Sequence, residues 1–295
     1  MRVMTFNIRY DEPGDGPNAW PSRRNLAIAA IHRHNPDLLG LQEPLRAQWE
    51  ELVMALDGYA AFGLVDSREG DVYPHGGFVR TARFEVLDAG LFWLSDTPSV
   101  VNSVTWPNDW GARACGWTAL RDRLADRALV FACTHLDTNP DSWLPSAKVL
   151  HAELDRVGGA LPVILVGDFN CAAGSDAHMF LCKEAGYRDA WTEAGHEDEG
   201  VITFNGFTPV TRVPDEPESL QVWLERISSP LESFGHYRAH ACAHHNFRID
   251  WILMRGPLVC QSASIDVHAD RGRLSSDHYP VIADIEWTRG EGALR

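Results

Sequence analysis

Val163-Ile164-Leu165-Val166-Gly167-Asp168-Phe169-Asn170 sets the architecture. Four apolar residues run without a polar break and then stop on Gly-Asp-Phe-Asn. A run this short and wholly apolar reads as a strand buried on both faces. Helical patterns at roughly 146–157 and 175–185 flank it, which makes the local unit α/β. The polar residues at its end matter because loops at strand ends project side chains while the sheet fixes their bases.

The same design recurs along the chain. Residues 2–9 alternate and end near Asn7. Residues 22–34 predict a helix with Ser22 as N-cap, which Pro36 and Asp37 break. Residues 38–43 form a buried strand ending on Glu43, followed by a helix at roughly 45–56. Strands follow at about 76–80, 84–88, 116–121 and 128–134, the last running into His135. Residues 248–254 are a strand that carries Asp250. A final pair, around 262–268 and 280–286, is separated by Ser275-Ser276-Asp277-His278. Residues 95–115 and 208–245 are Pro-rich excursions of the kind that become lids or substrate loops. No linker-like stretch divides the chain, so residues 1–295 read as one domain.

The residue types at the strand ends point to chemistry. Carboxylate and amide oxygens suit magnesium or manganese, and histidines beside them move protons or hold a phosphoryl oxygen. Each element alone has a plainer reading. Asp168 could be a turn former, Asn7 a strand-end hydrogen bonder, and Glu43 before Pro44 a helix N-terminal carboxylate. His135 and Asp137 could be a local pair. Asp250, between Ile249 and Trp251, is harder to set aside, because an acid in an apolar strand is costly unless paired. No Walker loop, dinucleotide glycine fingerprint, His-Glu-x-x-His or Gly-x-Ser-x-Gly is present. His240 and His244 have a spacing that could bind zinc on a helix, but the alternation through Cys242 also fits one face of a strand, and a solvated or site-lining histidine face is the favoured reading.

Taken in order, Met4-Thr5-Phe6-Asn7-Ile8, Leu41-Gln42-Glu43, Thr134-His135-Leu136-Asp137, Gly167-Asp168-Phe169-Asn170, Arg248-Ile249-Asp250-Trp251 and Ser276-Asp277-His278-Tyr279-Pro280 span nearly the whole chain. This series resembles the endonuclease/exonuclease/phosphatase superfamily, especially bacterial members with a Phe92-Trp93-Leu94-Ser95-Asp96-Thr97-Pro98 segment. The resemblance implies an α/β four-layer sandwich: two mixed β-sheets packed face to face, with helices outside. It implies a Mg2+- or Mn2+-dependent phosphoric ester hydrolase using in-line attack by water. Glu43 would be the main metal ligand, with Asn7 and Asp277 completing or supporting the shell. Asp168 would orient the water, Asn170 would hold it or a phosphoryl oxygen, and His278, backed by Asp250, would bind the phosphate. His135 would face the phosphate or leaving group. Arg113 and His75 are expected to border the cleft as substrate-binding residues. The chain departs from its relatives at Tyr73-Pro74-His75-Gly76-Gly77, where Gly76-Gly77 gives His75 a turn reading as well.

Bulk properties narrow the partners. The 295 residues carry a formal net charge of −15, and Lys148 and Lys183 are the only lysines among 26 basic residues. That balance supplies little of the basic footprint duplex DNA requires. It favours a small soluble or lipid-derived phosphate ester over a nuclease substrate, with a non-catalytic binding module as the remaining alternative. No apolar run is long enough to span a membrane. The N-terminus reads as a first strand, not a signal peptide. Six cysteines without Cys-x-x-Cys spacing fit reduced thiols in a cytoplasm.

Overall fold

The structure, a computed structural model, describes residues 1–63, 75–213 and 246–288. Among these, two six-stranded sheets face each other. The first joins β1 (Arg2–Asn7), β2 (Leu38–Gln42), β3 (Tyr59–Phe62), β4 (Gly76–Arg80), β11 (Leu258–Ile265) and β12 (Val281–Trp287) in the order β11-β12-β1-β2-β4-β3. The second joins β5 (Phe84–Trp93), β6 (Ala114–Asp122), β7 (Arg127–His135), β8 (Val163–Asp168), β9 (Arg188–Asp189) and β10 (Asp250–Arg255) in the order β5-β6-β7-β8-β10-β9. Each sheet contains one parallel pair, β1–β2 and β7–β8, and its other pairs are antiparallel.

Helices make both parallel crossovers, as parallel pairing requires. Helix α1 (Trp20–His34) links β1 to β2, and α3 (Pro140–Gly158) links β7 to β8. With α2 (Arg46–Ala55), α1 covers the first sheet. Ala27, Ile31, Trp49 and Leu52 pack there on Met4, Phe6, Leu39 and Leu41. On the second sheet, α3 packs with α4 (Asp176–Met179) and the π-turn Phe180–Glu184. A short helix α5 (Ala190–Glu193) follows β9.

Strand alternation assigns each face. Val3, Leu38, Cys133, Ile164, Val166 and Ile252 point into the seam between the sheets, whereas Met4, Leu39, Val163 and Leu165 point to the helices. Two glycines permit the close approach of the sheets. A Cβ on Gly40 would lie 2.3 Å from the Val166 side chain, and one on Gly116 would lie 1.7 Å from the His75 carbonyl oxygen.

Several helix bounds differ from expectation. The α1 helix starts at Trp20, with Ala19 in the capping position instead of Ser22. Pro21 sits in its first turn, where the missing N–H costs nothing. Helix α3 starts at Pro140, capped by the Asn139 side chain, and runs through Pro145; that internal proline concealed its first turn and a half. Strands β3 and β9 and helix α5 were not expected, being too short to carry a period. The larger part of the 208–245 excursion, including the histidine tract at 236–245, lies outside the described residues.

Candidate active site

Continuing the inward alternation by two residues explains where the polar cluster sits. Beyond Cys133, Val166 and Ile252 on the inner face come His135, Asp168 and, at the start of its strand, Asp250. These three are register partners on adjacent strands, His135 beside Asp168 and Asp168 beside Asp250. On the facing sheet, Val3 is followed by Thr5 and Asn7, and Gln42 leads into Glu43. The carboxyl ends of β1, β2, β7 and β8 therefore meet the amino ends of β10 and β12 at one end of the seam. The transition is already polar one layer below: buried Gln42 donates to Thr5 Oγ1 (3.2 Å) and Cys133 Sγ (3.1 Å).

Asn7 lies at the centre. Its Nδ2 donates to Glu43 Oε1 and to Asp168 Oδ2, both at 2.9 Å, and lies 3.5 Å from His278 Nε2. Its Oδ1 accepts the Arg9 amide at 2.9 Å, which fixes the amide's orientation. Glu43 Oε2 accepts the Tyr10 amide. His278 Nδ1 donates to Asp250 Oδ2 at 2.9 Å, and its Nε2 lies 3.6 Å from Asp168 Oδ2. Asn170 donates to the Leu136 carbonyl (2.7 Å) and to His135 Nε2 (3.0 Å). That leaves His135 protonated on Nδ1 when neutral. Glu43 and Asn170 hold left-handed backbone, with φ of 67° and 52°, a strain tolerated where the surroundings over-determine it.

Burial sets the electrostatics. Asp168 is about 1 % exposed. Its carboxyl is pushed up to about 7, chiefly by burial with Asp250 adding, against the favourable His278 charge and the Asn7 and Asn170 donors. Burial acts to lower His278, but Asp250 and Asp168 overcome it and raise the imidazole to about 10. The other two histidines go the opposite way. Burial and the Arg113 charge lower His75 to about 3 and put His135 well below its ordinary value.

The expected site residues divide accordingly. Asn7, Glu43, His135, Asp168, Asn170, Asp250 and His278 come together. Asp277 adjoins them: Oδ1 accepts the Ser276 hydroxyl (3.1 Å), Oδ2 lies 3.7 Å from Arg9 Nε, and its charge helps to raise His278. His75 is buried, not a surface turn residue, and its ring meets Trp93 edge-on at 6.4 Å. Arg113 lies 3.4 Å from Asp137, within charge range of His75 and His135. Asp137 does not pair with His135. Its carboxylate accepts the amides of Asp109, Trp110 and Asn139, tying down the 95–115 loop. Arg9 was missed by sequence reasoning, although its position two residues beyond Asn7 at the end of a buried strand was a usable signal.

The residues fit a divalent cation. Glu43, His135 and Asp168 offer three ligand atoms within 4.8 Å of one another, as do Asp168, Asp250 and His278. Asp250 Oδ1 has no hydrogen-bond partner among the described residues. Clustered carboxylate oxygens of this kind are the donor set of a hard cation.

A buried carboxylate–imidazole pair beside a carboxylate cluster, at the end of a two-sheet seam, brings proton-handling and cation-binding groups together in one site. The chain belongs to the Endonuclease/Exonuclease/phosphatase family, whose model matches residues 4–278. Members of this family are hydrolases acting on phosphate esters. Among solved structures, an endonuclease/exonuclease/phosphatase protein from Bacteroides vulgatus is 26% identical, with 97% of this chain and 98% of that one covered and a TM-score of 0.77. A Bacteroides thetaiotaomicron mannosyl-6-phosphatase is 21% identical (97% and 100% covered, TM-score 0.78). The human Nocturnin catalytic domain with bound sulfate is 18% identical (98% and 94% covered, TM-score 0.66). Curated proteins contain no match. No described helix is long and apolar enough to cross a membrane.

Proposed function

We propose that this chain is a single-domain, Mg2+- or Mn2+-dependent phosphoesterase that hydrolyses a small soluble or lipid-derived phosphate ester. The observation that carries the reading is the convergence of Asn7, Glu43, Asp168, Asp250 and His278, with the Asn7 and His278–Asp250 hydrogen bonds meeting where His278 Nε2 lies 3.5 Å from Asn7 and 3.6 Å from Asp168. Glu43 is the principal ligand of the ion, with Asp168 across from it. Asn7 supports that shell by donating to both carboxylates, and Asp277 supports it with charge at the rim. When bound, the ion supplies positive charge to the phosphoryl oxygens and to the attacking water.

The chain's own groups do the rest. Asp168 orients the water in line with the leaving group and takes its proton. Protonated His278, fixed through Nδ1 by Asp250, presents Nε2–H to a phosphoryl oxygen. Asn170 holds the water or a second phosphoryl oxygen, and neutral His135 stands on the leaving-group side. Beyond it, Arg113 and His75 line the substrate's other end, where a guanidinium suits a second anionic group. The family resemblance to a protein named as a mannosyl-6-phosphatase and the −15 formal charge support a small ester over duplex DNA. Five described cysteines are free thiols, which supports a cytoplasmic setting.

The test is turnover of sugar phosphates, inositol phosphates, phosphodiesters and single- and double-stranded DNA with each metal, alongside Glu43→Gln. Metal-dependent turnover of a small ester, with Glu43→Gln reduced about 10²-fold or more, is expected. Preferred cleavage of DNA would replace the phosphatase reading with a nuclease, and no turnover of any substrate would leave a binding module.

A further inference from the structure

We propose that Trp110 and Asp109 form a sugar-binding wall on the leaving-group side of the site, and that the alcohol of the ester is a pyranose. The inference rests on the phosphoesterase reading above and narrows its substrate to a phosphorylated sugar.

Trp110 is out of keeping with the other tryptophans. Trp20, Trp49, Trp93, Trp117, Trp143 and Trp251 are buried, whereas Trp110 is 46 % exposed, the one tryptophan left so open among the described residues. Its exposure is not looseness. The Trp110 amide donates to Asp137 Oδ2 and its indole Nε1 donates to Thr138 Oγ1, both at 3.0 Å. Asp137 and Thr138 are themselves buried. The Thr138 hydroxyl donates in turn to Asp109 Oδ2 (2.9 Å), and Asn139 Nδ2 donates to Asp109 Oδ1 (3.2 Å). A side chain pinned at both its backbone and its ring has lost its freedom, yet its face stays in water, so folding gains little apolar burial in return. An indole fixed in this way is a preformed stacking surface, which spares a ligand the cost of ordering it.

The wall adjoins the catalytic cluster. Thr138 lies three residues beyond His135, so their Cα atoms are at most roughly 11 Å apart. Arg113 Nε lies 3.4 Å from the same Asp137 Oδ2 that holds the Trp110 amide, and the Arg113 charge acts on His135. The wall therefore starts where His135 stands beside the leaving group.

The chemistry of the pair selects its occupant. An indole face attracts the C–H groups of a saturated ring as well as a flat π-system. Asp109 distinguishes the two. Its carboxylate is exposed, accepts only, and keeps lone pairs open beyond those that Thr138 and Asn139 occupy. The neighbouring hydroxyls of a pyranose are donors that a carboxylate can take in pairs. A hydrocarbon tail offers it no donor, and a nucleobase offers fewer than a ring of hydroxyls.

The experiment compares a ring with a chain. Mg2+-dependent hydrolysis of the phosphate esters of glucose, galactose and mannose is measured against that of glycerol phosphate, for wild type, Trp110→Leu, Trp110→Phe and Asp109→Asn. Calorimetry follows binding of the same esters to Glu43→Gln with and without Trp110→Leu. Wild type is expected to favour the best hexose ester about tenfold or more in kcat/KM. Trp110→Leu and Asp109→Asn should each raise KM for that ester about tenfold and change glycerol phosphate less than about threefold, with Trp110→Phe in between. Two results would overturn the proposal and leave the phosphoesterase reading standing. One is a wild type with no preference for any hexose ester. The other is an equal loss on hexose and glycerol esters, because a tryptophan that only anchors its loop would disturb both alike. If Trp110→Leu fails to fold, Asp109→Asn, isosteric and at the surface, still decides. If wild type hydrolyses no ester, the phosphoesterase reading fails and calorimetry decides the wall alone: hexose-ester binding weakened by Trp110→Leu upholds it, and binding that is absent or unchanged ends it.

Discussion

Replacing Asp168 with asparagine should make the metal-free protein more stable while destroying its activity. Asp168 lies in the seam with its carboxyl raised from 3.8 to about 7, so the folded protein disfavours the charge it carries at neutral pH. At 1.36 kcal/mol per pH unit that rise corresponds to roughly 4 kcal/mol. Relaxation around a neutral amide, and loss of the attraction to His278, bring the usable gain to about 1–3 kcal/mol. The sign follows from linkage. Below pH 3.8 the carboxyl is neutral in both states and there is no penalty. The penalty grows as pH rises from 3.8 through about 7 and is constant above that. In EDTA, Asp168→Asn should therefore come closest to wild type below about pH 4, pull ahead as pH rises, and exceed it by about 2–6 °C in melting temperature at pH 8. Saturating Mg2+ should close or reverse the gap, because only the wild type gains full stabilisation from the ion. Turnover should fall about 10²–10⁴-fold. The assay is scanning calorimetry across pH with and without metal. A variant less stable than wild type at pH 8 in EDTA would refute the reasoning, because pairing with His278 and Asn7 would then outweigh burial.

Three further outcomes are expected. Asp250→Asn removes the leading charge that raises His278 to about 10. The stability from His278, present below its unfolded value of 6.5 and lost as pH rises through about 10, should shrink. Imidazole NMR should show its titration midpoint falling by about one unit or more; an unmoved midpoint would show that Asp250 is not the controlling charge. Gly116→Ala would place a Cβ 1.7 Å from the His75 carbonyl and should cost about 1–3 kcal/mol in urea unfolding; a neutral result would mean the sheets separate there at no cost. With −15 formal charge, duplex DNA should bind weakly at physiological salt, and tight binding with a steep salt slope would favour a nuclease.

The sequence alone marked most of the polar residues that gather at the end of the seam. Short apolar runs ending on Asn7, Glu43, His135 and Asp168 were legible because a strand's two-residue period carries an inward face from the core out to its end. Asp250 was legible because an unpaired acid in an apolar strand is too costly to be incidental. The same reasoning could not reach what depends on residues far apart in the chain. Asp250 finds His278 28 positions away and Asn7 finds Asp168 161 positions away, and only sheet pairing across the seam fixes those distances. Tertiary structure also decided that Asn7 turns its amide donor, not its oxygen, toward the carboxylates. It turned Asp277 toward Arg9, and it buried His75 where Gly76-Gly77 suggested an open turn. The physical reason is common to all three. Periodicity specifies the face from which a side chain leaves the backbone, while its orientation and charge state are set by the groups that packing brings against it.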